Sequence, residues 1–174
     1  MNPTQKPTAT PGALADLTPA VILRCAARYL ELRGWTQGAY HAPDGGAFPA
    51  VCALGAIGMA AHGRYTDVPT DEDLDTTRDC RRAAEHLNNH LNDIGIGLYT
   101  GYDPESDTAP IDVIGWNDRN GQTADHVIAT LNDAADEWDW DHATEEQLET
   151  YADACVWAEQ QPTREGFLAW LGAR

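Results

Sequence analysis

The chain has 174 residues, of which 43% are hydrophobic and 22% charged, and its formal net charge is −17 from 28 acids and 11 bases. That length and composition suit a folded protein able to bury its own core without metals or disulfides. The charge argues against direct binding of nucleic acid or an anionic membrane, both of which need positive potential, and fits solubility, a basic partner or cation binding.

Residues 1–17 carry three Pro and three Thr without periodicity and read as a disordered tail. Thr18 and Pro19 form a helix start, with Thr at the N-cap and Pro at the first helical position. The helix is expected to run to about Arg33, with Ile22, Cys25, Ala26, Tyr29 and Leu30 on its apolar face and Gly34 as its stop.

The stretch from Gly34 to Gly58 departs most from ordinary scaffold, with six glycines, Trp35, Tyr40, His41 and Cys52. Asp44-Gly45-Gly46 is a turn signal and predicts a small hairpin, kept short by Pro43 and Pro49. Val51 to His62 reads as a buried Gly/Ala-rich helix. Its Gly55 and Gly58 point to close approach of another backbone or a ligand, because glycine costs about 1 kcal/mol in a helix interior relative to Ala.

An acidic loop follows to Asp75. Thr76 or Thr77 is expected to cap a helix to about Asn92, with Cys80, Ala84, Leu87, Leu91 and Ile94 on one face. Residues 110–116 read as a short strand, and Asn117 to Gly121 as a turn. Thr123 caps a helix through Val127, Leu131, Ala134 and Trp138. Thr144 and Gln147 form a capping box for the next helix, through Leu148, Tyr151 and Cys155. Pro162-Thr163 begins a last short helix with Phe167 and Trp170. The fold class expected is mainly α. Five to six helices pack in a compact bundle around the buried Gly/Ala-rich helix, with a small β-hairpin or short strands. Residues 18–174 form a single helical domain.

The segment GWTQGAYHAPDG, then CALGAIG, then IGWNDRNGQTADHV resembles a family of small uncharacterised proteins from actinobacteria and their phages, with related forms in rhizobia-like bacteria. Its pattern falls on Gly34, Trp35, Gly38 and Ala39, on Cys52, Gly55, Ala56 and Ile57, and on Trp116, Asn117, Asp118, Gly121, Thr123, Val127 and Leu131. The resemblance covers about residues 20–138 and leaves 139–174 as a helical extension. It implies no activity. It does tie the 34–58 stretch to the Trp-Asn-Asp turn as two parts of one constellation.

Three functional readings follow. The first is thiol chemistry of a hydrolase or acyltransferase. Cys52 stands at a helix N-terminus, where the dipole favours a thiolate, with His41 as base and Asp118 or Asn117 as orienter. The simpler alternative is a core cysteine. Around it, Trp35, Tyr40, Asp44, Trp116 and Asn117 are the candidate binding residues, although Asn and Asp before Gly are also ordinary turn formers.

The second reading is metal binding by His86 and His90, four apart on one helix. Two ligands fall short of a zinc set, and surface placement is the simpler reading. The acidic runs lack calcium-loop spacing, so no metal and no cofactor is predicted.

The third reading is an interaction module. From Asn120 to Thr163 there is no Lys or Arg, and ten acids lie between Asp125 and Asp153, with Trp138, Trp140 and Trp157 in or beside them. Such a surface suits a basic protein partner or mimicry of nucleic acid, if the Trp residues are not simply core. The expected function is therefore a non-enzymatic accessory or interaction module, with the thiol enzyme as the alternative. No signal peptide, membrane span or CxxC motif is visible, so the expected compartment is the cytoplasm, with reduced thiols.

Overall fold

The computed structural model describes residues 17–43, 46–65, 75–96 and 113–173. The described residues hold seven helices: α1 (Pro19–Arg33), α2 (Ala53–His62), α3 (Asp75–Asp93), α4 (Val113–Asn117), α5 (Ala124–Asp141), α6 (Glu145–Trp157) and α7 (Arg164–Gly172). The protein is mainly helical. Among the described residues no helix is long and apolar enough to cross a membrane.

The helix ends follow local chemistry. Thr18, Thr123, Thr144 and Thr163 each accept a bond from a first-turn amide, and Thr144 with Gln147 completes the capping box. Gly34 ends α1 at φ 93°, with its N–H on the Leu30 carbonyl. The cap expected at Thr76 or Thr77 is displaced, because α3 already begins at Asp75 and Thr77 lies inside it, buried.

Helix α2 is buried from Ala53 to Met59 and packs against α1, α3 and α4. Helix α5 lies mainly along α1, joined at the rim by the Arg24 guanidinium, which donates to Asp136 and Asp139 at 2.6 and 2.5 Å. On α1 the buried stripe is Ile22, Leu23, Ala26, Ala27 and Leu30, whereas Cys25, expected on that face, is exposed. Leu17, placed in the tail by sequence, packs on the core; the rest of that tail lies outside the described residues. A second, smaller core forms where α6 meets α7, from Tyr151, Cys155 and the fully buried Phe167.

The hairpin is not supported. Isolated bridges stand in its place, with Val51 paired to Trp35 in parallel and to His41 in antiparallel sense. Pro43 and Pro49 have no N–H to extend a ladder, and the chain turns into α2 directly after Val51. The strand expected over 110–116 is also replaced. Val113–Asn117 forms the single-turn α4, and residues 110–112 lie outside the described residues. Helical spacing puts Val113, Trp116 and Asn117 on one buried face and leaves Ile114 exposed.

Surface placement fails for His90 and holds only in part for His86. His90 is buried with its Nδ1 on the Glu137 carboxylate, and the half-buried His86 donates from Nε2 to the Ala134 carbonyl at 2.8 Å. Both histidines therefore serve the α3–α5 seam. Among the described residues no three His, Cys, Asp or Glu side chains converge as metal ligands.

Candidate functional site

The loop between α1 and α2 is held against α4 chiefly by the Asn117 side chain, which is 1% exposed. Its Oδ1 accepts from Trp35 Nε1 at 2.7 Å and from the Ala53 amide at 3.0 Å. Its Nδ2 donates to the Thr36 carbonyl at 3.2 Å and to Asp118 Oδ1 at 2.7 Å. A carboxamide has two acceptor lone pairs and two N–H donors, so Asn117 is saturated. Burying it is favourable only because every polar atom has a partner.

Neighbouring groups reinforce the clamp. Gln37 Nε2 donates to the carbonyls of Asn117 and Arg119 at 2.9 and 3.1 Å. The Gly38 amide donates to Asp118 Oδ1 at 3.0 Å from a backbone at φ 74°, a conformation that favours glycine. Tyr29 fastens the far side of the loop by donating to the Pro49 carbonyl at 2.7 Å. Gly55 explains its own presence, because a Cβ there would stand 2.3 Å from the Tyr40 carbonyl oxygen. The close approach inferred from the α2 glycines is thus, at Gly55, an approach of this chain's own loop.

Beside the clamp lies a cleft of about 220 Å³ lined by Gly38, Ala39, Tyr40, Cys52, Ile114 and Asp118. Cys52 and Asp118, far apart in sequence, therefore line the same cleft. Cys52 is the N-cap of α2, and its Sγ accepts from the Gly55 amide at 3.3 Å. Burial pushes its thiol pKa up, the Gly55 and Leu54 amides pull the other way, and the Asp118 charge adds to the rise. The helix-terminus effect expected from sequence is present, but burial outweighs it.

The other candidates separate. The His41 ring packs on Tyr65 with centroids 4.5 Å apart and is not part of the cleft lining. Trp116 and Asn117 lie in the interior, and the Trp116 indole meets His126 edge to face at 6.3 Å. Asp44 lies outside the described residues. Gln37, Thr36 and Ile114 were missed. Nothing local in the sequence marks Gln37 as reaching across 80 positions, since its target is a backbone carbonyl.

The acidic region presents a different surface. Trp138 is half-buried and stacks on His142 at 3.7 Å, and Trp140 meets Phe167 at 5.8 Å. Trp157, by contrast, is 89% exposed, and its neighbour Val156 is 75% exposed. A family model matches residues 14–137. The chain belongs to the family of unknown function DUF6197. The DUF6197 match takes in the clamp, the cleft and α1 through most of α5, while α6 and α7 lie beyond it. Neither a curated protein nor a solved structure matches the chain.

Proposed function

We propose that this chain is a non-enzymatic accessory domain of the cytoplasm that docks a basic protein partner. The observation that supports this reading is the stretch from Asn120 to Thr163, which has no Lys or Arg, carries α5 and α6 and includes the exposed Trp157. Arg24 engages Asp136 and Asp139 on α5, so the attraction rests on the exposed acids of α6. Acidic side chains there supply long-range attraction and partner selection, and an exposed indole supplies contact area. The candidate catalytic residues support the same reading indirectly, since each is engaged elsewhere: the Cys52 sulfur caps α2, the His41 ring packs on Tyr65, and Asp118 Oδ1 accepts from Gly38 and Asn117 in the clamp.

Affinity capture on the immobilised full chain at low and at high salt, followed by reconstitution with the purified captured protein, tests the proposal. The expected result is a basic protein released by salt, as screening of exposed charge demands. Recovery of no salt-sensitive basic protein counts against it.

A second reading, the thiol-dependent hydrolase or acyltransferase, is favoured by one observation: Cys52, Tyr40 and Asp118 line one cleft. Against it stand the raised thiol pKa and the capping bond of the sulfur, because the thiolate is the nucleophile. Loss of biological activity on Cys52→Ala, with a preserved fold, would favour this reading over the first.

A further inference from the structure

We infer that the solvent face of α6 is a docking groove for a basic amphipathic helix of a partner protein. This inference rests on the proposed function and gives its surface and the partner's chemistry.

Helix α6 buries only Tyr151 and Cys155, both toward Phe167 of α7. Beside that buried pair the helix carries two adjacent rows at four-residue spacing, the spacing that forms ridges on a helix, and the first row flanks the buried pair. One row is Leu148, Ala152 and Val156, with Leu148 40% and Val156 75% exposed. The next is Glu145, Glu149, Asp153 and Trp157, all exposed and ending in the 89%-exposed indole. An apolar ridge therefore runs beside an acidic one. The geometry accepts the ridge of another helix between the rows, as in helix-in-groove recognition.

Charge decides the occupant. The acids at Glu145, Glu149 and Asp153 have no Lys or Arg within the stretch Asn120–Thr163. A second copy packed about a two-fold axis would set acidic rows against acidic rows, in a chain of net charge −17. A partner helix with an apolar seam flanked by Lys or Arg meets both rows: its seam covers Leu148, Val156 and Trp157, and its cations face the carboxylates.

The test uses the full chain and two fluorescent Leu/Lys peptides of identical composition. One repeats Leu at helical spacing and the other is scrambled so that no apolar face forms. The amphipathic peptide is expected to bind at least about tenfold tighter than the scramble. Val156→Asp is expected to weaken it about tenfold, as loss of one buried Val side chain implies, even though the substitution adds negative charge. Trp157→Ala, at another exposed position, is expected to do the same. Unchanged thermal melts confirm that both variants fold.

Equal affinity for the two peptides, or tighter binding by Val156→Asp, overturns the groove and leaves a charge-only basic partner standing. Failure of both peptides to bind at low salt removes the proposed function as well. A wild-type dimer in sedimentation that Val156→Asp dissociates assigns the face to a second copy and also overturns the inference.

Discussion

Trp35 and Asn117, 82 positions apart in sequence, are joined by a 2.7 Å hydrogen bond from the indole N–H to the side-chain carbonyl. The same oxygen takes the Ala53 amide at 3.0 Å, so one buried atom ties the loop after α1 to the start of α2. Asn117→Ala leaves those two donors and the Thr36 carbonyl without their partner. Each such loss costs roughly 1–3 kcal/mol, and the expected total is at least about 3 kcal/mol, read from the urea midpoint. Trp35→Phe removes one donor and is expected to cost less. The double variant is expected to fall short of the sum of the two, because both changes break one bond. Strict additivity would mean that the bond contributes nothing.

Gly55→Ala reverses the usual helix preference. Ala is better than Gly in a helix interior by about 1 kcal/mol. At this position the new Cβ meets the Tyr40 carbonyl oxygen at 2.3 Å, and that backbone is held by the bond from the Cys52 amide. Net destabilisation of about 1–3 kcal/mol is expected, the range for overpacking. A stabilised variant in thermal melts would show that the loop is free to move away.

The four thiols are expected to differ in reactivity. Cys25 is exposed, while Cys52, Cys80 and Cys155 are buried. Iodoacetamide at neutral pH is expected to modify Cys25 first and Cys52 slowly, since burial holds the Cys52 thiol neutral. Peptide mass spectrometry against time reads the order. Faster modification of Cys52 than of Cys25 would revive the thiol enzyme.

Cys80 is expected to make the fold sensitive to alkali. Burial pushes its thiol from the ordinary 9.0 up to about 12, with Arg81 opposing. The unfolded thiol ionises first, so the unfolded state holds fewer protons across that interval and stability falls as pH rises through it. The contribution is whole below pH 9 and lost by about pH 12, with an upper bound on the order of 4 kcal/mol. Cys52 shifts in the same direction and adds to the slope. Urea midpoints measured across this range are expected to fall less steeply for Cys80→Ala than for wild type.

Where one local rule dominates, the sequence was legible. Thr18, Thr123, Thr144 and Thr163 announced their helices through side-chain caps within three residues. Residues 113–117 were not legible, because a single turn is too short for a 3.6-residue period to stand out from a two-residue one. Pairing of the 34–58 stretch with the Trp-Asn-Asp turn came from resemblance, and its physical basis, four bonds on one carboxamide, is a tertiary fact. Asn117, a candidate orienter in the catalytic reading, instead bonds the first amide of α2, and His41 stands apart from the cleft lining. Exposure of Trp157 was hidden for a similar reason: only the direction of α6 over α7 decides which of its faces is covered.

The most direct test of the central claim is affinity capture with three full-length baits: wild type, Cys52→Ala, and the triple variant Glu145→Gln, Glu149→Gln, Asp153→Gln. The account predicts that wild type and Cys52→Ala retain the same salt-sensitive basic partner and that the triple variant loses it. Capture that survives the triple change but disappears with Cys52→Ala would contradict it.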